Sequence, residues 1–108
     1  MGRYILGEFE HLVLLAVLQL GDAAYGVSIT DALAEQTDQD VAQAAVYLTL
    51  RRLEEKGWLE SHGGATAEQR RGRVKKFYRV TPEGAERLAD ARDTLRAMWA
   101  SIGGEFAS

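Results

Sequence analysis

The sequence predicts a mainly α-helical chain carrying one small β-hairpin, an α+β arrangement in a single compact unit. Apolar residues recur at helical spacing near both ends, the period changes from helix to strand after Gly57, and Thr81-Pro82-Glu83 marks a fresh helix start. At 108 residues the chain can bury one core without covalent staples. It has no cysteine, which excludes disulfides, thiolate metal sites and a cysteine nucleophile and fits a reducing compartment, so a cytoplasmic location is expected.

The first helix is expected over Glu8 to Leu20, with Phe9, Leu12, Val13, Ala16, Val17 and Leu20 on one stripe and Gly21 at the C-terminal cap. Leu14, Leu15 and Leu18 fall outside that stripe, and a helix apolar nearly all round needs cover on a second side, which points to a partner subunit there. The acids Glu8 and Glu10 ahead of the apolar run, and its short length, argue against a signal or membrane segment, so a soluble chain is expected. A second helix is expected over Tyr25 to Gln36, with Ile29 and Leu33 inward, broken by residues 37–40. The third begins near Val41, where Asp40 can cap free amides and Gln43 can complete a capping box, and it ends at Lys56-Gly57. Residues 58–62 and 74–80 alternate as two antiparallel strands around a long polar loop. Thr81 as cap and Pro82 at the first position open a last helix that runs to about Ile102. This order describes a winged helix-turn-helix over residues 1–80, with an added C-terminal dimerisation helix over residues 81–108.

The net charge of −3 conceals a segregation. Residues 51–79 hold nine of the thirteen bases against four acids, and six of those bases lie in RRGRVKKFYR, residues 70–79, with no acid among them. Like charges this dense gain the fold nothing unless a polyanion meets them, and phosphate contacts respond to the local patch rather than to the total.

Two segments suit double-stranded DNA. On the third helix, Ala42, Val46, Leu50 and Leu53 form the inward stripe, so the opposite face carries Ala44, Tyr47, Leu48, Arg51 and Arg52. The N-terminal part of such a helix enters the major groove, where Gln43 could pair with adenine and Ala44 could touch a thymine methyl, while Tyr47, Arg51 and Arg52 suit phosphates. The bland alternative is an ordinary solvated face whose arginines pair with Glu54 or Glu55. Arg70, Arg71, Arg73, Lys75 and Lys76 lie where the wing would be, and Gly72 allows close backbone approach to a phosphate.

In the last helix, Leu88, Ala91, Leu95, Met98 and Ile102 recur at spacings of three and four with Trp99 beside them. This seam is expected to form a homodimer interface together with Leu14 and Leu18, placing two recognition helices about one DNA turn apart. Folding back on the chain's own core is the competing reading. Trp99 also raises the idea of an interface pocket for a hydrophobic or aromatic effector, although an aromatic at this spacing is more often core. No catalytic, metal or cofactor constellation is expected: His11 and His62 are isolated, and no serine lies in a nucleophile-elbow context.

Four segments, LGEFEHLVLLAVLQLG, AYGVSITDAL, AAVYLTLRRLEEKGWLES and GRVKKFYRVTPEG, together resemble the PadR family of bacterial transcriptional regulators over nearly the whole chain. The resemblance implies a short-form homodimeric repressor, with Gln43 to Ala45 as the base-reading turn, Tyr47 as a phosphate contact and Arg73, Lys75 and Lys76 as the wing. The family commonly has Ser-Pro-Gly-Thr-Leu-Tyr where this chain has Ala42-Gln43-Ala44-Ala45-Val46-Tyr47, which removes a serine cap and a threonine hydroxyl. Trp99 stands about one turn later than the drug-binding tryptophan of some short members. The expected function is therefore a dimeric repressor released from a pseudo-palindromic operator by a small-molecule or stress signal. The rival is a winged-helix module that docks an acidic protein without specific DNA binding.

Overall fold

The computed structural model describes residues 5–63 and 75–103. Within them the order is α1 (Glu8–Leu20), a 3-10 turn (Gly21–Ala23), α2 (Gly26–Thr37), α3 (Gln43–Glu55), β1 (Leu59–His62), β2 (Phe77–Val80) and α4 (Pro82–Ile102). This is the mainly helical fold with a small antiparallel sheet that the sequence predicts.

α1 starts where expected because Glu10 reaches back to accept from the Gly7 amide at 3.1 Å, and its other oxygen pairs with the Lys56 ammonium at 2.8 Å, tying α1 to the end of α3. In α2, the Ser28 hydroxyl accepts from the Tyr25 amide at 3.0 Å and satisfies the first turn. α3 ends in a Schellman arrangement, with the Trp58 amide donating to the Leu53 carbonyl and Gly57 donating to Glu54. Gly57 at φ 81° supplies the left-handed residue that this stop requires. Thr81 joins the two halves of the chain: its hydroxyl donates to the Gly57 carbonyl at 2.7 Å and accepts from the Gly84 amide at 3.0 Å.

β1 and β2 pair antiparallel with Leu59 opposite Val80 and His62 opposite Phe77. The edge of β2 is occupied by the chain just before α2, where Tyr25, expected as the first residue of that helix, is extended instead: Tyr25 bridges Phe77, and the Tyr78 amide donates to the Ala24 carbonyl at 2.9 Å. The core gathers Val13, Leu14 and Val17 from α1, Ile29 and Leu33 from α2, Val46, Leu50 and Leu53 from α3, Trp58, Leu59 and Tyr78 from the hairpin region, and Leu88 from α4.

Several expectations need correction. Leu14, assigned to a dimer interface, is fully buried in its own chain. α1 is the central helix, packed by α2 and α3 and also by β2 and α4, so one chain covers more than one of its sides. Leu88, assigned to the same interface, is buried because the first turns of α4 fold back on the core. α3 starts at Gln43 with Ala42 as an exposed N-cap and no side-chain cap, so Ala42 is not inward and the Asp40 capping box does not form. α2 runs one residue later than expected at each end, and both strands are shorter. The long loop between the strands, with Arg70, Arg71, Gly72 and Arg73, lies outside the described residues.

Beyond Ala91, α4 leaves the body. The radius of gyration is 15.9 Å, against about 13 Å for a compact chain of this length.

Candidate nucleic-acid interface

α3 turns one row into the core and the opposite row to solvent. Val46, Thr49, Leu50 and Leu53 are buried, while Gln43, Ala44, Ala45, Tyr47, Leu48, Arg51 and Arg52 are all exposed. The chain therefore brings all the residues predicted on this helix to one accessible surface. Among the described residues neither Arg51 nor Arg52 forms a salt bridge. The pairing with Glu54 that would make them an ordinary solvated face does not occur, because Glu54 points at the hairpin and accepts from the Ser61 hydroxyl at 2.5 Å and faces Lys76 at 3.6 Å.

Tyr47 is held in place. A Cβ on Gly26 would overlap the Tyr47 ring, so the aromatic side chain lies against the bare backbone at the start of α2. Its hydroxyl accepts from the Gln43 amide at 3.1 Å, one helical turn earlier. Breaking that bond precedes any use of the same N–H toward adenine. The Tyr25-Gly26 pair marked the family resemblance in the sequence, but its purpose, a floor for Tyr47, is visible only once α2 and α3 are packed.

The two wing lysines inside the described residues are also steered by neighbours. Lys75 lies over the Tyr25 ring at 4.5 Å, and Lys76 lies over the Tyr78 ring at 5.9 Å as well as facing Glu54. The entry to β2 thus carries two successive cations, each set on an aromatic face. Tyr25 and Phe77 pack with ring centroids 5.5 Å apart, and His62 stacks on Phe77 at 6.0 Å. Tyr25 and Phe77 stand in segments that carry the family resemblance, but the alternation of the sequence marks the strands and not which side chains meet. Burial, with the Glu54 carboxylate and Tyr47 adding to it, pushes the Tyr78 phenol above its ordinary value of 10.0, so it is neutral behind this face.

The far half of α4 presents a second accessible surface of different chemistry. Leu95, Met98, Trp99 and Ile102 are each half or more exposed, and Leu18 of α1 is 54 % exposed. Ala91 is half-buried where the helix leaves the core. A cleft of about 290 Å³ opens between the residues before α1 and α4, with Leu6, His11, Arg87, Asp90 and Leu95 in its walls. Trp99 does not line it.

No group of histidine, aspartate and glutamate able to hold a metal occurs among the described residues, and no helix there is long and apolar enough to cross a membrane.

The sequence profile of the transcriptional regulator PadR-like family matches residues 14–90, which is most of the chain and includes α2, α3, the hairpin and the root of α4. The chain belongs to the PadR-like family. Among solved structures it is similar to a PadR family transcriptional regulator from Eggerthella lenta, at 28% identity over 89% of this chain and 83% of that one, with a TM-score of 0.68. It also shares its fold with a transcriptional regulator from Clostridium thermocellum, at 23% identity, 92% and 89% coverage and a TM-score of 0.71. A PadR-like regulator from Bacillus cereus has the same fold at 19% identity, 93% and 92% coverage and a TM-score of 0.72. No curated protein matches the chain in sequence. As a PadR-like protein it is a DNA-binding regulator of transcription and not an enzyme.

Proposed function

We propose that the chain is a homodimeric repressor that lays α3 of each subunit in the major groove of a pseudo-palindromic operator. The observation that carries this reading is the outward row of α3, exposed along its whole length and ending in two arginines without carboxylate partners among the described residues. Tyr47, Arg51 and Arg52 grip phosphates, and Lys75 and Lys76, with Arg70, Arg71 and Arg73, extend the contact along the wing. A second copy covers Leu18, Leu95, Met98, Trp99 and Ile102, whose exposure is otherwise costly in water.

The cleft between the chain before α1 and α4 supports effector control. It joins the winged body to the helix on which dimer geometry depends, so a small hydrophobic ligand seated there changes the spacing of the two α3 helices.

The test is fluorescence anisotropy with the duplex upstream of the protein's own gene against a scrambled duplex of equal length. Preference for the native duplex is expected, with log K falling by about 0.9 per phosphate contact for each log unit of salt. Equal weak binding to both duplexes, joined with capture of an acidic protein through the wing, would favour the protein-docking reading instead.

A further inference from the structure

The outward row of α3 is poor in hydrogen-bonding groups where it would meet base edges. At 100° per residue, Ala44, Leu48 and Arg51 stand opposite the buried row of Val46, Leu50 and Leu53. Ala44 and Leu48 occupy the N-terminal half of that row and are exposed, Leu48 by 50 %. Neither side chain can donate or accept. The amide beside them, Gln43, is bent along its own helix to donate to Tyr47, and Tyr47 is fixed over Gly26. The cations begin only at Arg51, about 12 Å along the axis from Gln43, where a recognition helix is leaving the base edges for the backbone.

Resting on the DNA-binding reading above, we infer that α3 reads its half-site through thymine 5-methyl groups, contacted by Ala44 and Leu48, rather than through hydrogen bonds to base edges. Base pairs mark the major groove with donors and acceptors and with a single apolar mark, the thymine methyl. A methyl and an isobutyl group one turn apart complement that mark. Placed against guanine or cytosine, they would instead strip water from base-edge donors and acceptors and offer nothing in exchange. Discrimination then comes from exclusion as much as from attraction. The four residues from Ala44 to Leu48 rise about 6 Å, which spans about two base-pair steps of about 3.4 Å, so the favoured core contains thymines one or two steps apart. Gln43 is a positioning residue for Tyr47 in this arrangement.

The experiment selects preferred duplexes from a random library with the full chain, then replaces each core thymine of the winner by deoxyuridine, which removes only the methyl. Loss of about fourfold in affinity per methyl is expected. In Leu48→Ala, whose parent side chain is half outside the core, the deoxyuridine penalty should vanish at one step and persist at the other. A preferred duplex that binds equally well with thymine or deoxyuridine overturns the methyl readout and leaves the DNA-binding reading standing. Selection that enriches no duplex overturns both.

Discussion

The outer face of α3 and the far half of α4 are both exposed helical surfaces, yet they are built in opposite ways. On α3, the exposed groups mix polar and cationic side chains with Ala44, Ala45 and Leu48, and the row behind them is anchored in the core by Val46, Leu50 and Leu53. On α4 beyond Ala91, the exposed groups are Leu95, Met98, Trp99 and Ile102, and no residue from Arg92 to Ile102 is buried. A rigidly backed, charged face suits a ready-made polyanion. An apolar face with no core behind it suits a surface that supplies the missing core, as a second copy would. Exposure alone separates neither case; the chemistry of the face and what backs it do.

The largest effect should come from placing charge on the apolar face. Met98→Glu with Trp99→Glu is expected to yield monomers by sedimentation and to lower operator affinity at least a hundredfold, about 3 kcal/mol, while the melting temperature changes little. Next are the two glycines at the roots of these surfaces. A Cβ on Gly84 would overlap the Trp58 carbonyl, and one on Gly26 would overlap the Tyr47 ring. Each alanine variant should lose about 1 to 3 kcal/mol of stability in chemical denaturation, with Gly84→Ala the worse because a backbone carbonyl cannot turn away. Gly26→Ala should also weaken DNA binding by unseating Tyr47. Arg51→Ala with Arg52→Ala should reduce affinity about tenfold for specific and random duplexes alike and lower the salt slope by about 0.9 for each contact removed, leaving the dimer intact.

The smallest effect concerns alkaline pH. The Tyr78 phenol titrates higher in the folded chain than in the unfolded one, first because it is buried and then because of Glu54 and Tyr47. The stability tied to it is fully present below about pH 10, the unfolded value, and is lost as pH rises through the higher folded value. Tyr78→Phe should flatten that part of the stability curve in urea titrations from pH 9 to 11.

Much of this was legible in the sequence. The four helices, the hairpin and the outer face of α3 follow from period, caps and charge, because these are local signals. Leu14 was misassigned because a helix wheel cannot show how many neighbours surround a helix; α1 is covered by elements distant in sequence. Leu88 and Leu95 share one stripe in the sequence, but only the first turns of α4 touch the core, and where a helix departs from a body is a tertiary property. The start of α3 was placed too early because Asp40 and Gln43 have the right spacing for a capping box, while the chain makes Ala42 the N-cap and turns Gln43 to Tyr47. Gly26 carried a family signature whose reason, contact with Tyr47, lies across two helices.

The central claim is that the two surfaces serve two partners at once, DNA on α3 and a second copy on α4. Sedimentation of the protein bound to a short duplex carrying its preferred site measures this directly. Two chains per duplex, falling to one or to none in Met98→Glu with Trp99→Glu, is the predicted result; a tight, sequence-specific complex of one chain per duplex, unchanged in that variant, would contradict it.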